Sequence, residues 1–169
     1  MSKLMAYTEK NVVAEIILIN IIRIAFVAVC VSFIFPLFNS TIMFFDVDMF
    51  SSSQTLTGFN MIFGIESSNV TGHPFALVMF MFPVIAIMVT MIDFLYNHLH
   101  IVILISGIVG IILSIVFFIA GLVNMNGKEK LFDVTLYEVQ TGLSWGCLII
   151  LGIYVAIIGL SFLYKGVAE

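Results

Sequence analysis

The chain has 169 residues, 62% of them hydrophobic and 9% charged, with a net charge of −4 and a mean hydropathy of +1.24. A soluble domain of this length covers itself with about a quarter charged residues, so the composition excludes a water-wrapped globule and calls for lipid around most of the surface. Six basic side chains against ten acidic ones leave no patch able to neutralise phosphates, which excludes nucleic acid as a partner.

The first apolar segment runs from Ile16 to Phe38 and is predicted to be a helix with Arg23 as its only charge. It is near the roughly 20 residues that cross a hydrocarbon core of about 30 Å. The bulky Pro36-Leu37-Phe38-Asn39 that ends it is no signal-peptide cleavage site, so the helix is expected to be retained. A charge such as Arg23 costs roughly 2.5–3.5 kcal/mol at mid-bilayer and less near the edge. It can snorkel to inner-leaflet headgroups, or pair with an acidic group such as Asp93 or with another subunit. Glu15 lies two turns away on the same helix, about 12 Å by helical rise, too far for close pairing.

Residues 39–73 form the first long loop. Phe45, Val47 and Met49 alternate with Asp46 and Asp48, the period of two expected of a half-buried strand. The polar Ser51-Ser52-Ser53-Gln54 follows. Phe44, Phe45, Phe50, Phe59 and Phe63 give this loop more aromatic surface than an isolated loop leaves in water. Such a patch marks a partner surface, unless it packs beneath the loop or lies on headgroups.

The second predicted helix, 74–95, has no charge before Asp93 and holds Met79, Met81, Met88 and Met91. Thioethers suit copper, but methionine is also an ordinary gap-filling side chain, and no metal is expected here. The turn Tyr96-Asn97-His98-Leu99-His100 joins it to a third helix, 101–123, as an antiparallel hairpin. His98 and His100 are two apart, a spacing that does not place metal ligands on one helix face. In the third helix Ser106, Gly110 and Ser114 recur every four residues, so one face is small enough for close backbone approach.

A second outer loop, 124–142, alternates Phe132, Val134 and Leu136 with polar residues and predicts a second strand that pairs with the first. The fourth helix is predicted over 143–164, with Gly142, Gly146, Gly152, Ala156 and Gly159 along it. Cys30 and Cys147 lie in apolar stretches, which points to packing rather than a disulfide.

These elements predict an all-α membrane protein, 1–169 as one domain. Four helices form an antiparallel bundle, and the two outer loops form a small extracellular β-sheet. Lys3, Lys10, Arg23 and Lys165 on the terminal side against Lys128 and Lys130 on the loop side favour cytoplasmic termini in a multi-pass protein of the plasma membrane. Four helices, a short inner turn and two strand-bearing outer loops resemble the claudin-like architecture. The Trp, Gly-Leu-Trp and paired loop cysteines that mark claudins are absent, since the sole Trp is Trp145, and only the layout is carried over. Thr57-Gly58-Phe59 through Gly64, followed by a Pro-containing apolar helix, also resembles small uncharacterised four-helix membrane proteins of bacteria.

No Walker A run, nucleophile elbow or His-Glu-x-x-His occurs, so no enzyme activity and no cofactor are expected. The expected role is a structural or accessory subunit, a homo- or hetero-oligomer in the lipid bilayer. It would act through helix packing and the outer-loop surface. Candidate interaction residues are Arg23, Ser106, Gly110, Ser114, Phe44, Phe45, Phe59 and Phe63. The alternative is a small oligomeric channel, transporter component or holin-like pore-former, although Asn20, Arg23, Ser32, Thr90, Ser106 and Ser114 form no continuous polar stripe.

Overall fold

The computed structural model describes residues 2–44, 51–63, 74–92, 98–125, 127–131 and 134–168. Helix predominates. In chain order the elements are α1 (Ser2–Ser32), β1 (Pro36–Phe44), β2 (Ser51–Thr57), α2 (Gly58–Phe63), α3 (Pro74–Val89), α4 (Leu99–Met125), β3 (Gly127–Leu131), β4 (Val134–Leu143) and α5 (Trp145–Ala168). Among the described residues, three stretches are long and apolar enough to cross a membrane: Val12–Ser32, Leu99–Val123 and Trp145–Val167.

Helix α1 ends at Ser32, six residues before the predicted limit at Phe38. Phe33, Ile34 and Phe35 donate to the carbonyls of Cys30, Val31 and Ser32 three residues back, so the last turn tightens. Pro36 then disfavours helical backbone at Phe35, and β1 begins there. The predicted limit failed because Leu37 and Phe38, the first residues of the strand, are as apolar as the helix. Both are fully buried, and Phe38 packs edge-on against Phe117 and Phe118 of α4, at 5.8 and 6.3 Å between ring centres. The start of α5 shifts for the same reason. Leu143 belongs to β4 and the helix starts at Trp145.

The predicted second helix, 74–95, is helical only over Pro74–Val89. Thr90 makes the last helical bond, to Ala86, and turns its hydroxyl back onto the Ile87 carbonyl at 2.7 Å. Met91 and Ile92 then bond three residues back instead of four, which closes the helix. Sixteen residues rise about 24 Å, less than the hydrocarbon core, so this helix falls short of the three spans. Asp93 and the rest of the inner turn up to Asn97 lie outside the described residues.

The sheet has four antiparallel strands in the order β2-β1-β4-β3, two more than predicted. The first loop pairs β1 with β2, the second pairs β3 with β4, and β1 and β4 join the two hairpins from Phe38↔Leu143 to Phe44↔Tyr137. The predicted strand over Phe45–Met49 lies outside the described residues, as do Phe132 and Asp133 of the other. Val134–Leu136 stands in β4 as expected. The sheet is anchored where β1 meets α5, because the Leu37 carbonyl accepts the Ser144 amide at 2.8 Å and the Cys147 thiol at 3.0 Å.

Candidate interaction surfaces

Arg23 reaches across from α1 to the end of α3. Its Nη2 donates to the Thr90 carbonyl at 2.8 Å, its Nε to Thr90 Oγ1 at 3.2 Å, and its Nη1 to Asn20 Oδ1 at 3.4 Å. The guanidinium thus occupies the C-terminal end of α3, where unpaired carbonyls and the negative end of the helix dipole favour a cation. Neither snorkelling nor a second subunit is needed to satisfy these donors. Asp93, the acidic partner considered from the sequence, lies outside the described residues. Thr90 is a partner the sequence reading missed, although it was the one polar residue before Asp93 in an otherwise apolar helix.

Glu15 bonds neither Arg23 nor a lysine among the described residues. Its Oε1 accepts from the buried Tyr164 hydroxyl at 2.5 Å, which ties α1 to α5 at the terminal end of the bundle.

Gly110 and Ser114 of α4 both face inward and are fully or almost fully buried, while Ser106 is half-buried. A β-carbon at Gly110 would stand only 2.5 Å from Cδ1 and Cζ of Tyr154 on α5, and one at Gly107 would stand 2.6 Å from Ile158 Cγ1. The absence of side chains here is what lets α5 approach. Ser114 donates to the Gly110 carbonyl at 2.7 Å and lies 3.9 Å from the Met79 sulfur of α3. This face is therefore used inside the chain. The small residues of α5 divide differently: Gly146 is buried beside Pro36 and Leu37, whereas Gly152, Ala156 and Gly159 are exposed, with nothing within 4 Å of a β-carbon at either glycine.

Among the described residues, every buried serine or threonine hydroxyl of the helices donates to a carbonyl of its own helix. Ser32 donates to Ala28, Ser114 to Gly110, Ser161 to Ile158, and the Thr90 hydroxyl to Ile87. Tyr154 Oη is the exception, buried and without a hydrogen-bond partner among the described residues.

Of the four candidate loop aromatics, Phe59 and Phe63 stand on α2, one turn apart and stacked at 6.4 Å. Phe59 is half-buried and packs on Phe80 at 5.5 Å, but Phe63 is 78% exposed. Phe44 is the last residue of β1, and Phe45 lies outside the described residues.

The two edges of the sheet are unlike. Edge strand β3 contains Lys128, Glu129 and Lys130, and its register with β4 shifts between Glu129 and Lys130. Edge strand β2 reads Ser51-Ser52-Ser53-Gln54-Thr55-Leu56-Thr57, without a charge or a proline. Its register with β1 is unbroken from Leu56 to Ser51, and Ser53, Gln54 and Thr55 are all exposed. Successive strand residues point to opposite faces, so this part of β2 is exposed on both faces, and among the described residues no strand pairs with its outer edge.

No protein-family model matches the chain, and no curated protein or solved structure is similar to it.

Proposed function

We propose that the chain is a four-span membrane protein of the cell surface, with cytoplasmic termini and an extracellular sheet, that works as a non-catalytic structural or accessory subunit. The observation that carries this reading is the state of the bundle interior. Its buried serine and threonine hydroxyls are turned back on their own helices and its one described cation caps a helix. Such an interior offers little for a solute or a reacting group to bind. Contact surfaces are plentiful by comparison: an exposed Phe63, an uncovered β2 and a lipid-facing Gly152–Ala156–Gly159 stretch.

Helix α3 is the fourth span in this reading. It lies beside both α1 and α4, through the Arg23–Thr90 bond at 2.8 Å and the Ser114–Met79 contact, and the Arg23 cap supports its short end within the bilayer. The claudin-like layout belongs to the same proposal and is supported by the order helix, two strands, helix, helix, two strands, helix, leaving aside the short α2. The four-to-two distribution of Lys and Arg supports the orientation.

Cysteines at Ser52 and Lys130 should react with a membrane-impermeant maleimide on intact cells, and one at Asn97 should not; the opposite pattern would reverse the orientation. For the role itself, crosslinking in native membranes should recover a protein partner or a second copy. Purified protein in liposomes should pass no small solute. A measurable flux would replace this reading with a pore.

A further inference from the structure

An unpaired strand edge is a row of free N–H and C=O groups that templates another strand, and proteins blunt such edges with charge, proline or a bulge. The β3 edge has charges and an irregular register, but over Ser51–Thr55 the β2 edge has no charge, no proline and no break in register. The sheet is guarded on one side only. From this asymmetry we infer that the outer edge of β2 pairs, antiparallel, with β2 of a second copy of this chain, which joins two four-stranded sheets into one.

The choice of a second copy rests on self-complementarity. Two identical strands paired about a two-fold axis near Gln54 place Ser53 of each opposite Thr55 of the other, hydroxyl against hydroxyl, a favourable cross-strand pairing. Nothing in β2 repels its own image. Pairing through β3 would instead set Lys128 and Lys130 against the same lysines of the partner, and like charges across strands are unfavourable. The backbone requires an extended polypeptide as occupant, and copies of this chain in one membrane share a two-fold axis along the membrane normal, so the pairing sets β2 across the mouth of the bundle in both copies. The inference deepens the contact role proposed above and rests on it.

The test uses the full chain in its own membrane, with Cys30→Ala removing the half-buried thiol. Gln54→Cys should form a disulfide-linked dimer under mild oxidation, and Lys130→Cys should remain monomeric. Adding Ser53→Lys and Thr55→Lys to the Gln54→Cys chain should lower the dimer yield about tenfold or more, because like charges then face each other across the edge. Both lysines fall on exposed positions, so the thermal midpoint of the monomer should stay at its parental value. If the double variant loses that midpoint, Ser53→Lys alone decides. Equal crosslinking at Gln54 and Lys130, or a dimer indifferent to the lysines, overturns the inference. So does a Gln54→Cys thiol that an impermeant maleimide cannot reach in the monomer. If Gln54→Cys stays monomeric while crosslinking of unmodified membranes still recovers a partner, the edge pairing fails and the contact role stands. If no partner or second copy appears by either route, both fail.

Discussion

Helices α4 and α5 meet through absent side chains, whereas α3 is seated by added ones. At Gly110 and Gly107 nothing projects, and Tyr154 and Ile158 lie directly on the α4 backbone. The described part of α3 has no glycine. It is held by rings around Phe80, by Met79 against Ser114, and by an arginine from α1 at its last carbonyl. The difference follows from length. Two helices of 27 and 24 residues can meet along a continuous seam. A helix of sixteen residues is shorter than that seam, and the carbonyls at its end need donors from elsewhere in the protein. A seam tolerates no addition, whereas a cap suffers most when one of its two partners is left without the other.

Five substitutions probe that contrast, each read by thermal or denaturant unfolding in mild detergent. Gly110→Leu should have the largest effect, about 3 kcal/mol or more of destabilisation, because a whole side chain enters space held by the Tyr154 ring. A variant as stable as the parent would show that the seam can slide. Thr90→Val removes the Oγ1 acceptor of Arg23 but leaves the charge in place, and should cost about 1–3 kcal/mol. Arg23→Leu in that comparison should cost less than Thr90→Val, since it also removes the cation from the apolar surroundings. Hydrogen exchange at Ile87–Ile92 should nonetheless rise in Arg23→Leu, because the Thr90 carbonyl loses its donor. Tyr154→Phe deletes a buried hydroxyl with no partner and should leave the protein unchanged or stabilise it by about 1 kcal/mol. A clear loss of stability would mean that this hydroxyl is bonded in the membrane. Gly152→Ala, on the open face of the same helix, should stay within about 0.5 kcal/mol of the parent, in contrast with Gly110.

The helices were legible because lipid imposes long apolar runs. Their ends were less so. Leu37, Phe38 and Leu143 are apolar for a different reason, since they belong to the sheet at the mouth of the bundle, and hydropathy does not distinguish the two environments. Pro36 was the available signal for the end of α1. Strand β2 escaped notice because an edge bare on both faces has no alternation to detect; its Ser-Ser-Ser-Gln looks like a loop. Among the candidate residues, the spacing of Gly110 and Ser114 correctly gave a shared face, but only the fold shows that it looks inward to Tyr154 and Met79. Arg23 stood out as the only charge in an apolar run, yet its partner is 67 residues away, a distance no local pattern bridges.

The central pairing of the sheet has a consequence for how the chain is made. Strands β1 and β4 meet in register although they are about a hundred residues apart, as in Ser40 with Thr141. The hairpin β1–β2 can close early, from contacts local in sequence, but the inner edge of β1 then stays unsatisfied until three more helices have been synthesised. Non-local pairing of this kind is slow, since loop closure precedes any gain from contact. Because β4 runs into α5 with Ser144 alone between them, and the Ser144 amide bonds the Leu37 carbonyl, docking of the last helix and completion of the sheet become one event. The nascent protein therefore carries an open strand for most of its synthesis. A chain stopped before Val134 would keep that edge exposed, a marker by which quality control could tell unfinished copies from finished ones.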